Sequence, residues 1–142
     1  MFFRRVKYRR VRVKTIPSKH YLEHREVARG MVHERLEYWN GFYNLKYNRV
    51  SIKNQKTCWG SCSGKNNLNF NYKIIFLPQP LMDYVIIHEL CHLKEMNHSR
   101  AFWGHVAKTV PDHKEKRRHL RKMTSVPQDG FPSSLYVVGL TA

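Results

Sequence analysis

The sequence predicts an α+β protein, with helices packed on a small, mainly antiparallel sheet. Three observations carry this. An apolar stripe at helical spacing runs from Ala28 to Trp39. Alternating apolar and polar residues follow between 42 and 77, the two-residue period of strands. After Pro78 comes a segment apolar nearly all round, which is the mark of a buried helix.

Taken in order, residues 2–15 alternate basic and apolar groups, Val11 and Val13 against Arg10, Arg12 and Lys14. This reads as an N-terminal strand over 1–18 with one wet face, its cations discouraging edge pairing. Pro17-Ser18 breaks it and offers an N-cap. A helix over 19–40 follows, with Ala28, Val32, Leu36 and Trp39 as its stripe and Asn40-Gly41 as its stop. His20, His24 and His33 read as surface residues of that helix. Residues 48–77 read as sheet: Arg49–Lys53, then Thr57–Cys62, then a turn at 63–67, then Leu68–Tyr72 running on into Lys73–Leu77. The strands flanking the turn form a hairpin. Pro80 suits a helical first turn, so a helix is expected over 79–97. Ser99 caps a short helix, Pro111 ends it, and Asp112-x-x-Glu115 fits a variant capping box opening a last helix. The expectation is one domain over 1–123, with helices over 99–123, and a tail over 124–142.

The bulk properties agree. The 142 residues suit a single core, and 42% apolar with 13% aromatic content argues against disorder. No apolar run approaches the roughly 18 residues of a membrane span. The N-terminus lacks a signal-peptide pattern, and three cysteines at 58, 62 and 91 make no disulfide framework. A cytoplasmic location is expected. The net charge of +16 makes nucleic acid a candidate partner through a basic surface. Nothing in the sequence sets the oligomeric state.

The chemistry concentrates in residues 88–103. His88-Glu89-Leu90-Cys91-His92 is an H-E-x-x-H motif on the buried helix. Positions i and i+4 share a helix face, so His88 and His92 can reach one metal ion. Glu89 lies about 100° round, placed to act on a water at that metal. Catalytic zinc takes three protein ligands and leaves one position open. Two residues compete for the third place. His98 follows His92 by six residues, the zincin offset, and needs the helix to end near Met96-Asn97 with Asn97 in a left-handed turn. Glu95 stands at i+7 from His88. The spacing favours His98, leaving Glu95 as a hydrogen-bond partner of a ligand imidazole. Tyr84, Arg100 and His105 are candidates for stabilising an oxyanion. Cys58 and Cys62, without a second pair, are weak as a metal site.

Three segments together resemble the YgjP-like metallopeptidases: Trp59-Gly60-Ser61-Cys62-Ser63, Tyr84 to Leu93, and Asn97-His98-Ser99 with Phe102-Trp103. Val110-Pro111-Asp112 follows as in that family. The resemblance spans about residues 20–122. It implies a minimal zincin-like fold and one zinc ion held by His88, His92 and His98, with Glu89 as the catalytic acid/base. Substrate contact by the Trp59 segment is a further expectation. The chain departs from the family pattern in its short N-terminal region and in Cys58, where an Arg is common. The expected activity is zinc-dependent hydrolysis of peptide bonds in a peptide or protein substrate, with the attacking water activated by Glu89. The alternatives are a basic nucleic-acid-associated protein with structural zinc, a catalytically degenerate zincin, or a hydrolase of another amide. Nucleobase deamination is disfavoured because its H-x-E and P-C-x-x-C signals are absent.

Overall fold

A computed structural model describes residues 16–123. The expected N-terminal strand and the C-terminal tail lie outside the described residues. Among those described, the order is helix α1 (Lys19–Tyr43), strands β1 (Arg49–Lys53), β2 (Gly60–Cys62) and β3 (Asn67–Asn71), a 3-10 helix (Tyr72–Phe76), then α2 (Gln79–Cys91), α3 (Arg100–Ala107) and α4 (His113–Met123). The class is α+β, as expected.

The Ser18 hydroxyl caps α1 by accepting from the Tyr21 backbone N–H. Ala28, Val32 and Leu36 are its buried stripe. The helix does not stop at Asn40-Gly41. It ends at Asn44, in the left-handed conformation (φ 49°) with its N–H on the Asn40 carbonyl. Asn40 instead clasps the chain beyond, its amide bonding both the N–H and the carbonyl of Leu45 at 2.9 Å.

The sheet order is β1-β3-β2. β2 and β3 form the expected hairpin, with Gly60 opposite Phe70 and Cys62 opposite Leu68. Asn66 turns it at φ 59°. The sheet is nevertheless mixed rather than mainly antiparallel, because β1 pairs parallel to β3 along its whole length. Three consecutive strands alternate in direction, and inserting the third between the first two sets it parallel to the first. β3 is therefore central; Leu68 and Phe70 are fully buried on one face, and Asn69 and Asn71 are buried on the other. Buried Asn71 donates to the carbonyls of Gln55 and Cys58 at 2.9 and 3.1 Å, which ties down the segment leading into β2.

Of residues 73–77, expected as a strand, 73–76 belong to the 3-10 helix and Leu77 is its C-cap. The Asn71 carboxamide accepts from the Lys73 N–H, and the Leu77 N–H reaches back to the Ile74 carbonyl. This local capping outweighs the β preference of the Ile-Ile-Phe run.

Helix α2 is the centre of the core. Leu81, Met82, Val85, Ile86, Ile87, Leu90 and Cys91 are buried along it. α1 is fastened to it by a two-pronged pair from Arg35 to Asp83, at 2.7 and 2.9 Å. That contact raises the Arg35 pKa further. α2 ends at Cys91, six residues short of the expected stop at 97. The chain tightens there, with the Leu93 N–H on the Leu90 carbonyl and the Glu95 N–H on the Cys91 carbonyl. Asn97 is not in the left-handed region. Ser99 caps α3 through the Phe102 N–H at 3.2 Å, as expected. Asp112 opens α4 differently: its carboxylate pairs with Lys116, while its backbone carbonyl accepts from Glu115. No described helix is long and apolar enough to cross a membrane.

Candidate metal centre and active-site cleft

His88 is the fourth residue from the end of α2, and His92 keeps helical angles at the C-cap (φ −64°, ψ −20°). The i, i+4 relation therefore survives the early helix end. The tightened turn then carries the chain back, and α3 fixes its return. Phe102 is fully buried beneath the three imidazoles. It stacks on His92 at 4.4 Å and meets His88 and His98 edge-on at 4.9 and 5.0 Å. Trp103 stacks on His98 at 5.7 Å.

The result is convergence. His88 Nε2 lies 3.1 Å from His92 Nε2 and 3.1 Å from His98 Nε2. All three donor atoms fall within 4.8 Å of one another. A tetrahedral ion with nitrogens at about 2.0–2.1 Å sets neighbouring nitrogens about 3.3 Å apart. The tautomers point the same way. His92 Nδ1 lies 3.0 Å from the Glu95 carbonyl oxygen, which only accepts, so Nδ1 carries the proton and Nε2 presents its lone pair inward. Burial, reinforced by His92 and His98, pushes His88 down to about 3, so it stays neutral at neutral pH. Burial also lowers His98, with His92 and Arg117 adding to it. Imidazole lone pairs aimed at one point repel unless a cation sits among them, and neutral imidazole is the form that binds a metal.

Glu89 is buried (6% exposed), and burial raises its carboxyl to about 8. A nearby positive charge favours the ionised form of a carboxylate so placed, and an ion on the three imidazoles would supply one. Gly60 of β2 presses against it. The burial of Glu89 thus comes from two elements distant in sequence.

A cleft of about 310 Å³ opens on this centre. Its walls include His88, Glu89 and His98, with Trp59 and Gly60 from the sheet side and Tyr84 from α2. Burial raises the Tyr84 phenol to about 12, so it remains a proton donor, and its hydroxyl is 3.5 Å from His88 Nδ1. The expected site residues therefore divide. Trp59 and Tyr84 join the histidines at the cleft. Glu95 contributes its backbone carbonyl rather than its carboxylate, because the helix ends before its side chain could share the ligand face. Arg100 is exposed at the start of α3, and the His105 ring lies beside Lys108 at 3.5 Å; neither lines the cleft. Reading the sequence missed Gly60, Thr57, Arg117 and Arg121 as cleft residues. A glycine inside a strand signals close approach. Arg117 and Arg121, at i and i+4, read only as part of a basic helix.

A three-histidine cluster at the end of the core helix and the turn beyond it, in a small α+β domain with a buried glutamate lining the same cleft, is the arrangement of a metallopeptidase, and the protein is a hydrolase of that class. The chain belongs to the YgjP-like family, whose metallopeptidase domain matches residues 7–123. The fold is similar to the crystal structure of the metallopeptidase zymogen of Pyrococcus abyssi abylysin (28% identity, TM-score 0.59, covering 65% of this chain and 93% of that one). It is also similar to the zymogen of Methanocaldococcus jannaschii jannalysin (25% identity, TM-score 0.53, covering 68% and 95%). The search of curated proteins found no match to the chain.

Proposed function

We propose that this metallopeptidase is zinc-dependent, with zinc held by His88, His92 and His98 and with Glu89 as general base and then general acid in hydrolysis of a peptide or protein substrate. The observation that carries this reading is the convergence of three imidazole Nε2 atoms beside a buried glutamate at the base of an open cleft. Three nitrogen donors suit zinc. Bound there, zinc would lower the pKa of water and polarise the scissile carbonyl. Glu89 takes the proton of the attacking water and returns it to the leaving amine. The Glu95 carbonyl holds His92 in its ligand tautomer. Tyr84, kept protonated by burial, has its hydroxyl 3.5 Å from His88 Nδ1, the ring nitrogen turned away from the other two histidines, which supports a role in orienting that ligand. Among the described residues β2 is an edge strand of the sheet, and its first residue, Gly60, lines the cleft with Trp59 just before it. That supports an extended substrate lying alongside it. The three thiols are free, which supports a reducing, cytoplasmic setting.

The test is Glu89→Gln in the full chain. The variant is expected to bind one zinc per chain and to lose peptide cleavage. Retained turnover would remove Glu89 from the mechanism. Salt-sensitive DNA or RNA binding in wild type and variant alike, with no cleavage by either, would favour the structural-zinc alternative instead.

A further inference from the structure

We propose that the cleft selects a peptide carrying a carboxylate close to the scissile bond, an acidic side chain or a free C-terminus, and that Arg117 together with Arg121 binds that carboxylate. This rests on the peptidase reading above.

Arg117 and Arg121 stand one turn apart on α4, and both line the cleft that holds His88, Glu89 and His98. Between them Leu120 is buried in the core, which fixes the rotation of α4 that brings both residues to the cleft lining. Arg117 is further held by its ring contact. Its guanidinium carbon lies 5.3 Å from the Trp103 ring centroid, and Trp103 stacks in turn on His98. The cation is therefore a single aromatic ring away from the metal centre. A guanidinium beside an aromatic ring can still offer its in-plane N–H donors to a carboxylate fork.

Among the described residues the ion pairs engage Lys19, Arg25, Arg29, Arg35 and Lys116, and Arg117 is in none of them. Arg35 shows the contrast: the protein seats it on Asp83 with two hydrogen bonds. Of the described residues lining the cleft, Glu89 alone is acidic, and it lies buried at the base. The cleft lining thus includes two arginines and, apart from the buried Glu89, no acidic residue among the described residues. Lys114, Arg118 and Lys122 on the same helix extend the positive field. A substrate carboxylate would be drawn in and a cationic side chain turned away.

The test uses the zinc-loaded full chain and four matched peptides: neutral and amidated, the same with one Asp or Glu, the same with one Lys, and the neutral peptide with a free C-terminus. At least one carboxylate peptide is expected to exceed the neutral one in kcat/KM by about tenfold. The two carboxylate arms tell a side chain from a C-terminus. Arg117→Glu/Arg121→Glu should reverse the order in favour of the Lys peptide, and Arg117→Lys should keep part of the preference. If charge reversal unfolds the chain, Arg117→Gln/Arg121→Gln makes the same comparison, with the ratio expected to fall toward unity. Equal cleavage of all four peptides by the wild type, or one common factor of loss across all four in the variants, would overturn the proposal. Anisotropy of labelled peptides on Glu89→Gln gives a second readout. Carboxylate-dependent binding there, with no cleavage by the wild type, would sink the peptidase reading and keep the carboxylate site.

Discussion

A Cβ built on Gly60 would lie 2.9 Å from Cγ of Glu89 and 3.0 Å from its Oε1. The wall strand and the glutamate of the H-E-x-x-H motif are in direct contact, and only a hydrogen at position 60 permits it. Gly60→Ala must push either β2 or the Glu89 side chain, and Cγ is not a free end that swings aside cheaply. The expected result is a kcat lower by about tenfold to a hundredfold with zinc content unchanged. Kinetics and metal analysis of one preparation check both halves.

The third ligand is open to a direct contrast. His98→Ala removes one of three converging nitrogens and is expected to weaken zinc binding by more than about a hundredfold. Glu95→Ala leaves the backbone carbonyl that holds His92 in place, so zinc affinity should stay within about twofold. Competition against a chromophoric chelator measures both. Equal losses would mean that the carboxylate of Glu95, not its carbonyl, supports the centre.

Zinc should also stabilise the fold. An ion that binds only the native protein adds about 4 kcal/mol at a thousandfold excess over its Kd. Urea unfolding with zinc and then with excess chelator is expected to show that gap, and His88→Ala should abolish it. An unchanged midpoint would mean that the three imidazoles do not act together.

Arg35 and Asp83 make a fourth test, away from the chemistry. Their side chains are 19% and 12% exposed. Arg35→Leu strands a buried carboxylate and is expected to cost about 3 kcal/mol in urea unfolding. Arg35→Leu/Asp83→Leu should recover much of that loss, since no charge is left unpaired.

Local features of the fold were legible in the chain because their physics is local. Ser18 and Ser99 cap helices through hydrogen bonds spanning three residues, and the Ala28–Leu36 stripe follows the helical period. The Cys62-to-Leu68 hairpin turns at an asparagine. Helix ends were less legible. Asn40-Gly41 carries a usual stop signal, yet α1 runs on to Asn44, where the side chain of Asn40 secures the turn. Tyr72 to Phe76 has the composition of a strand, but Asn71 caps it into a 3-10 turn. The sheet order was hidden as well, since nothing local says that β3 inserts between β1 and β2.

The same division runs through the candidate site. The sequence by itself determined the pairing of His88 with His92, because a four-residue offset on a helix can place two side chains on one face. The third histidine was also marked in the chain, by its offset and by the apolar pair Phe102-Trp103 behind it. Only the tertiary structure decided the rest. It buried Glu89 by bringing Gly60 against it from a strand twenty-nine residues earlier, and it assigned the His92 partner to a backbone carbonyl. It also turned α4 so that Arg117 and Arg121 face the cleft. Those relations depend on how separate elements pack, and helical or strand periodicity carries no information about which neighbour an element meets.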